Sequence, residues 1–309
     1  KYRPEFAAAV EASASTGGQR VPPVMGAGAF IMAELTSTPY LKIALAASIP
    51  ALLYYIGVAS SVHFEARKSG LERIPRELIP SIGRTLPKSA PLFVPIALLI
   101  YLLVQGYDPT TSVFWATVAA VGLYIATARS RVQLNERLRN LVSALESGGK
   151  AMILVASLCA CAQLVIGMFN LAGLGIRISE AVIGLSAGSK FLGLFFTMIV
   201  CIILGMGLPT TAAYVLAASV TGPALIKLGL SPVAAHLFVF YFAIISAITP
   251  PVCAAVFAAT AIAKSNWLPT GWLAVRMGLG GFMAPFMFAY CPPLLLVGSA
   301  LDIFWNSLV

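Results

Sequence analysis

The chain has 309 residues and a formal net charge of +9, with 59% hydrophobic and only 10% charged residues. Its mean hydropathy of +0.92 excludes a soluble enzyme or soluble binding module, because such proteins need a far more charged surface. Uncharged stretches long enough to cross a bilayer, about 20 residues each, recur along the sequence. We therefore predict an all-α, polytopic integral membrane protein.

The positive charge is concentrated in two segments that two predicted spans separate. Six basic residues lie between positions 67 and 88, and five lie between positions 129 and 150. Segments separated by two spans lie on the same side of a membrane, and an excess of Lys and Arg marks the cytoplasmic side. The charge is therefore expected to set the membrane topology rather than to bind a nucleic acid.

Residues 1–36 predict a first discontinuous helix, in which two apolar half-helices, 5–15 and 22–34, flank an interruption. Residues 37–150 then predict scaffold and arm helices with basic cytoplasmic segments at 64–87 and 129–149. Residues 151–190 predict a crossing helix and a connector. The spans expected within these regions lie at residues 42–63, 87–105, 111–127 and 150–174.

Residues 191–228 predict a re-entrant hairpin, because its two limbs are too short to cross a membrane comfortably. The limbs lie at 191–205 and 212–226, with the tip at Leu208–Thr211. Residues 229–264 predict a second discontinuous helix, and residues 265–309 predict C-terminal helices. The corresponding half-helices are 231–248 and 251–263, and the last span is 272–290.

The two interruptions share a short sequence. GQRVPPV at residues 18–24 returns as SAITPPV at residues 246–252. Proline lacks an N–H and clashes with the preceding turn, so a Pro-Pro pair breaks a helix. Within a bilayer such a break is tolerated only where protein or a watery cavity surrounds it. By the predicted topology the two broken helices run in opposite directions. Corresponding breaks in the two halves of a chain are typical of the midplane site of a secondary transporter.

Neutral oxygen atoms surround the breaks and the hairpin tip. A half-helix that ends at a break presents free carbonyl groups, which suit a cation, and the next half-helix presents free N–H groups, which suit an anion. We expect Pro22 and Pro250 to lie in first helical turns. The hydroxyl and amide side chains that offer oxygen ligands to a hard monovalent cation are Ser13, Ser15, Thr16, Gln19, Thr210, Thr211, Ser246 and Thr249.

Two ionisable side chains stand near the first break. Glu11 precedes it by about two turns, and a carboxylate within a span marks an ion or proton path; the alternative is a solvated position at the interface. Arg20 lies within the break, where a guanidinium suits a substrate carboxylate; the alternative is that it extends to the membrane interface.

His236 and the five cysteines are interpreted as packing residues, so no cofactor or metal centre beyond a sodium site is expected.

Three stretches of the chain resemble the large membrane subunit of tripartite ATP-independent periplasmic (TRAP) transporters, in particular the C-terminal part of permeases that fuse the small and large subunits. They are YRPEFAAAVEASASTGGQRVPPVMGAGAFIMAE, GMGLPTTAAYVLAASVTGPAL and ITPPVCAAVFAATAIA. The resemblance implies an elevator-type secondary transporter in the bacterial inner membrane that imports an organic anion, typically a carboxylate. It also implies a periplasmic binding protein that delivers the substrate and a sodium or proton gradient that drives uptake.

The resemblance further implies a set of site residues. One cation site would use Gly18, Val21 and Pro23. A second would join the hairpin to the second break through Gly205, Thr211, Ser246, Thr249 and Val252. Substrate would lie between the breaks and the hairpin tips, near Ser15, Thr16, Gln19, Arg20, Pro209 and Thr210. Glu11 would couple protons if protons drive transport.

Two features depart from the family pattern. The family's first hairpin and its small-subunit helices are expected upstream of Lys1, in a portion that this sequence does not contain, so the first cation site would be incomplete. Arg20 stands where an apolar residue is expected.

Two other functions remain open at this stage. A carboxylate symporter of another elevator family would bind its substrate without a periplasmic protein, and an ion channel would accommodate re-entrant segments but would not concentrate a substrate. An intramembrane enzyme is disfavoured, because Asp108 and Asp302 are the only aspartates and no pair of catalytic groups is evident.

Overall fold

A computed structural model of the chain describes residues 2–23, 25–70, 82–127 and 130–296, and these residues contain helices and no strand. The all-α class is therefore confirmed. The helices are α1 Pro4–Gly18, α2 Gly28–Leu35, α3 Tyr40–Lys68, α4 Ile82–Val104, α5 Pro109–Ala126, α6 Arg131–Leu171, α7 Leu174–Ser186, α8 Lys190–Gly205, α9 Thr210–Lys227, α10 Pro232–Ile245, α11 Ala254–Ala263, α12 Trp267–Met277 and α13 Leu279–Tyr290. Two 3₁₀ turns lie at Ser246–Ile248 and Pro292–Leu295.

The chain forms two compact units, one of residues 1–71 with 158–309 and the other of residues 72–157. In the second unit α4 and α5 pack against each other. Asp108 begins α5, because its carboxylate accepts hydrogen bonds from the N–H groups of Thr110 and Thr111. An Asp at this position satisfies N–H groups that the helix itself leaves unpaired, so the turn between the two predicted spans is well defined.

Several helices of the described residues are long and apolar enough to cross a bilayer. They are Tyr40–Lys68, Pro109–Ala126 and the joined pair Trp267–Tyr290, and a bent pair of Gln163–Phe169 with Leu174–Ser186 would add a fourth. Lys190–Gly205, Pro232–Ile248 and Ala254–Ala263 are equally apolar but shorter. Such short apolar helices are expected of re-entrant and interrupted segments rather than of complete spans.

Helix α10 forms the centre of the first unit. Every residue from Leu237 to Ile245 is at most 2% exposed, and the helix packs against α8, α9 and α13. A helix that is apolar on all sides is stable only when all sides are covered. The second break, which follows α10 directly, is therefore held by the most deeply buried helix in this unit.

Small residues let α3 and α13 approach closely, as is common between membrane helices. A Cβ atom added to Gly280 would lie 3.4 Å from the carbonyl oxygen of Leu53, and one added to Gly281 would lie 2.9 Å from Cδ2 of Tyr54. The opposite edge of the Tyr54 ring meets Gly17 of α1, where an added Cβ would lie 2.4 Å from Cε1. Tyr54 is thus fixed between α13 and the end of α1.

The structure corrects the helix bounds at both breaks. Helix α2 begins at Gly28 rather than at Pro22, and α11 begins at Ala254 rather than at Pro251. The placement of Pro22 and Pro250 in first helical turns is therefore wrong. A residue that precedes proline is disfavoured in helical geometry, so the first proline of each Pro-Pro pair lies outside the following helix.

The second basic segment and the predicted span 150–174 belong to one helix. Helix α6 runs from Arg131 to Leu171 without interruption. Its Gly148-Gly149 pair does not end the helix because glycine keeps its N–H and costs a helix only about 1 kcal/mol. The last predicted span also differs, since it begins at Trp267 and divides at Gly278. Residues 71–81 of the first basic segment and the C-terminal residues 297–309 lie outside the described residues.

Candidate functional site

Helices α8 and α9 form the expected hairpin and pack along each other. The tip is the non-helical segment 206–209, which begins two residues before the predicted Leu208–Thr211, and Thr210 and Thr211 lie in the first turn of α9. Gly207 has a φ of +72°, a left-handed conformation that glycine adopts without a steric penalty. The turn at Gly207 therefore reverses the chain between α8 and α9.

The hairpin tip contacts the second break. A Cβ atom added to Gly205 would lie 2.6 Å from Oγ of Ser246, and one added to Gly207 would lie 3.3 Å from Cγ1 of Val252. The resemblance implied a second cation site that includes Gly205, Ser246 and Val252. The structure places Gly205 beside Ser246, and it places Val252 beside Gly207 of the tip.

Both hydroxyl groups of the second break donate their hydrogens to backbone carbonyl oxygens, so they can offer only lone pairs to a ligand. Ser246 Oγ donates its hydrogen to the carbonyl oxygen of Ala243 at 2.7 Å, and Thr249 Oγ1 donates to that of Ile245 at 2.9 Å. A hydroxyl oxygen retains two lone pairs after its hydrogen is engaged. Ser246 is 1% exposed and Thr249 is half-buried, so both oxygens lie in a largely dry environment.

Among the described residues, no group of three or more His, Cys, Asp or Glu side chains lies close enough to hold a metal ion. A transition-metal site of the usual imidazole and thiolate ligands therefore has no counterpart in this part of the chain.

The first break folds into a compact loop. The N–H of Gly26 donates to the carbonyl oxygen of Gln19 at 3.0 Å, which ties the two ends of the loop together. Tyr40 Oη donates to the carbonyl oxygen of Pro23 at 2.7 Å. Of the residues assigned to the first cation site, Gly18 is exposed, whereas Val21 and Pro23 are half-buried. Val24 lies outside the described residues.

The polar residues before the first break lie on two different faces of α1. Glu11 and Ser15 are exposed, and Ser15 Oγ donates to Glu11 Oε1 at 3.0 Å. Ser13 and Thr16 are buried, and Ser13 Oγ donates to the carbonyl oxygen of Ala274 in α12 at 3.2 Å. Ser15 and Thr16 were both assigned to substrate binding, but the structure places their side chains on different faces of the helix.

Arg20 turns inward rather than toward the membrane interface. Its side chain is 0% exposed, and its Cζ atom lies over the rings of Tyr54 and Tyr241, 4.6 and 4.9 Å from their centroids. The position of its neighbours could not be predicted from sequence, because α3 and α10 are distant from the break along the chain. One signal in the sequence pointed to a buried polar neighbour. Each of the two apolar helices contains a tyrosine, and a buried tyrosine hydroxyl needs a polar partner.

The remaining predicted substrate residues lie at the hairpin tip and the first break. Pro209 precedes α9 and Thr210 begins it. Gln19 is half-buried, but its Oε1 atom is fully buried without a hydrogen-bond partner in the part of the chain that the structure describes.

A comparison with known protein families identifies the family of this chain. The family model described as Tripartite ATP-independent periplasmic transporter, DctM component, matches residues 1–303. The chain belongs to the DctM family. A comparison with individually curated proteins gave no significant match. The match confirms the resemblance to the large membrane subunit of TRAP transporters, whereas the origin of the chain in a fused permease stays a prediction.

Membership of the DctM family also accounts for the apolar helices. The chain is a multi-pass membrane protein and a permease, which agrees with the expectation that it is not an enzyme. A TRAP transporter works with a periplasmic binding protein and a small membrane subunit, so the family implies partners on the outer side of the membrane and within it.

Proposed function

We propose that this DctM-family permease imports an organic anion, a carboxylate, that a periplasmic binding protein delivers, and that sodium bound at the second break drives the uptake. The observation that carries the proposal is the contact of the hairpin tip with this break. Gly205 lies against Ser246, and Gly207 lies against Val252. A cation bound there would touch both segments, so its binding would depend on the position of the hairpin relative to the second break.

The ligand chemistry at this contact favours sodium over protons. The oxygens of Ser246 and Thr249 are neutral and have engaged their hydrogens, as a hard monovalent cation requires of hydroxyl ligands. A proton, in contrast, needs a group that titrates. Glu11, the carboxylate on α1 before the first break, is exposed and accepts a hydrogen bond from Ser15.

Two helix N-termini at the same contact favour an anionic substrate. Helix α9 begins after Pro209 and α11 begins after Cys253, and neither helix has a side chain that caps its first N–H groups. Unpaired N–H groups and the helix dipole attract negative charge. A carboxylate held near these ends would lie beside the proposed sodium ion, and each charge would stabilise the other.

We further propose an elevator movement in which the hairpin and the second break move as one body. The packing of α8, α9 and α10 against one another supports this proposal, as does the burial of α10 on all sides. Helices that bury this much shared surface move more readily together than apart.

Uptake by reconstituted liposomes tests the proposed function. Liposomes that contain the complete transporter receive the periplasmic binding protein and labelled carboxylates outside, and sodium and proton gradients are imposed separately. We expect uptake that requires both the binding protein and an inward sodium gradient. Uptake without the binding protein would assign the permease to directly binding symporters, and uptake driven only by protons would overturn the sodium assignment.

A further inference from the structure

Buried side-chain polar atoms without a partner belong to three residues in the described part of the chain. They are Oε1 of Gln19, the three guanidinium nitrogens of Arg20 and the hydroxyl of Tyr241. Gln19 and Arg20 are adjacent in sequence, and Arg20 contacts the Tyr241 ring. Buried polar groups in native proteins are nearly always hydrogen-bonded, so a cluster of exceptions calls for a missing partner.

The guanidinium of Arg20 is enclosed by three helices. Tyr54 of α3 and Tyr241 of α10 contact it through their rings. On α13, a Cβ atom added to Gly281 would lie 2.5 Å from Nη1, so a glycine at this position makes room for the guanidinium. The side chain is 0% exposed and is therefore cut off from bulk water in this conformation.

Among the residues that the structure describes, no carboxylate forms an ion pair with Arg20. Within the described ranges the ion pairs are Arg3 with Glu65 and Lys150 with Glu146, and the exposed Glu11 is engaged with Ser15. The two tyrosine rings attract the cation through their π-electrons, but they provide no oxygen that accepts its N–H groups. An isolated charge taken out of water is strongly unfavourable unless it is paired.

We propose that Arg20 and Tyr241 form an internal binding site for a compact anion with a single negative charge, a carboxylate or chloride. The guanidinium offers a planar pair of donors that matches a carboxylate, and the Tyr241 hydroxyl adds a third donor. The proposal rests on the proposed function in naming a transported carboxylate as one source of the anion, and chloride from solution is the other source. The guanidinium is occluded in this conformation, so binding of the anion requires local opening around Arg20.

Thermal unfolding of the purified transporter tests this site. Chloride, formate and the transported carboxylate are titrated in turn. Sodium HEPES, whose anion is bulky, keeps the ionic strength constant. A ligand that binds only the folded state raises the unfolding midpoint in a saturable manner, so we expect each of these compact anions to raise it in the unmodified protein.

Three variants locate the effect. In Arg20→Gln the apparent affinity for the anion should fall by about tenfold or more, because the charged donor is lost. In Tyr241→Phe it should fall by a smaller factor, since one neutral donor is lost. Arg177→Gln is the matched control, because it removes one positive charge from an exposed position on α7 and should leave the anion dependence unchanged.

The outcomes separate the source of the anion from the existence of the site. Competition between chloride and the transported carboxylate would identify the substrate as the ligand, and protection by chloride without competition would identify a resident chloride. An unfolding midpoint that no anion changes in the unmodified protein, or equal anion dependence in Arg20→Gln, would overturn the proposal. If Arg20→Gln does not fold, the unmodified protein and Tyr241→Phe still decide the question. Failure of the proposed function would show separately, as unmodified transporter that takes up no carboxylate.

Discussion

Gly205 of α8 and Ser246 of the second break are in such close contact that any side chain at position 205 would displace the serine hydroxyl. An added Cβ atom would lie 2.6 Å from Ser246 Oγ and 3.0 Å from its Cβ. The hydroxyl can rotate away only by giving up its hydrogen bond to Ala243, and the Cβ atom is attached directly to the backbone. The position of a proposed cation ligand on one segment therefore depends on the absence of a side chain on the other.

The substitution Gly205→Ala should impair sodium-driven uptake more than it impairs folding. Ser246 must shift by several tenths of an ångström, which moves a ligand oxygen, and we expect the half-saturating sodium concentration to rise about tenfold, equivalent to about 1.4 kcal/mol. Initial uptake rates across a sodium series measure this. Gly184→Ala in α7 is the control, since an added Cβ there meets no atom within 4 Å. Equal sodium dependence in the two variants would argue against the contact as a cation site.

The substitution Glu11→Gln distinguishes sodium from proton coupling. Because the Glu11 carboxylate is exposed and bonded to Ser15, we expect sodium-driven uptake and its pH profile to remain as in the unmodified protein. Uptake is measured from acidic to alkaline pH with the sodium gradient held constant. A profile that becomes flat in the variant would transfer the coupling role to Glu11.

The substitution Gly17→Ala should destabilise the packing of α1 on α3. The added methyl would lie 2.4 Å from Cε1 of the buried Tyr54 ring, and overpacking of this kind costs about 1–3 kcal/mol. Thermal unfolding of the purified protein measures the loss. Gly122→Ala on α5 meets no atom within 4 Å, so its stability should stay the same or rise slightly, because alanine favours a helix. Similar midpoints for both variants would contradict the close approach of Gly17 to Tyr54.

The substitution Tyr214→Phe removes a hydrogen bond inside the first unit. Tyr214 Oη and His236 Nδ1 lie 2.7 Å apart, and this bond joins α9 to α10. We expect a loss of about 1 kcal/mol in the free energy of unfolding, with uptake at saturating sodium unchanged, because His236 serves packing. Abolished uptake in a stably folded variant would instead give the pair a role in transport.

The sequence predicted the hairpin and the breaks because their signals are local. Pro-Pro pairs and a Gly-rich turn change the backbone where they occur, so limbs expected at 191–205 and 212–226 appear as Lys190–Gly205 and Thr210–Lys227. The starts of α2 and α11 were missed because one proline restricts the residue before it. The uninterrupted α6 was not expected, because a change from a charged to an apolar composition at residue 150 alters the surroundings of a helix without breaking its backbone hydrogen bonds.

The surroundings of Arg20 depend on contacts between distant segments. Nothing local places Tyr54, Tyr241 and Gly281 around one guanidinium, because each comes from a different helix. Tertiary packing of this kind needs the relative positions of α1, α3, α10 and α13, which hydrophobic patterning does not encode. The contact of Gly205 with Ser246 was, in contrast, expected from the resemblance to the family, although no pattern within either segment reveals it.

The most direct test of the account is the half-saturating sodium concentration for uptake in the double variant Ser246→Ala with Thr249→Val. The matched control is Ser48→Ala with Thr117→Val, because Ser48 and Thr117 also donate to the carbonyl oxygens of Ala44 and Val113, four residues earlier. We predict that removing two ligand oxygens raises the sodium requirement by about tenfold or more and that the control matches the unmodified protein. An unchanged sodium requirement in the Ser246 and Thr249 variant would contradict a sodium site at the second break.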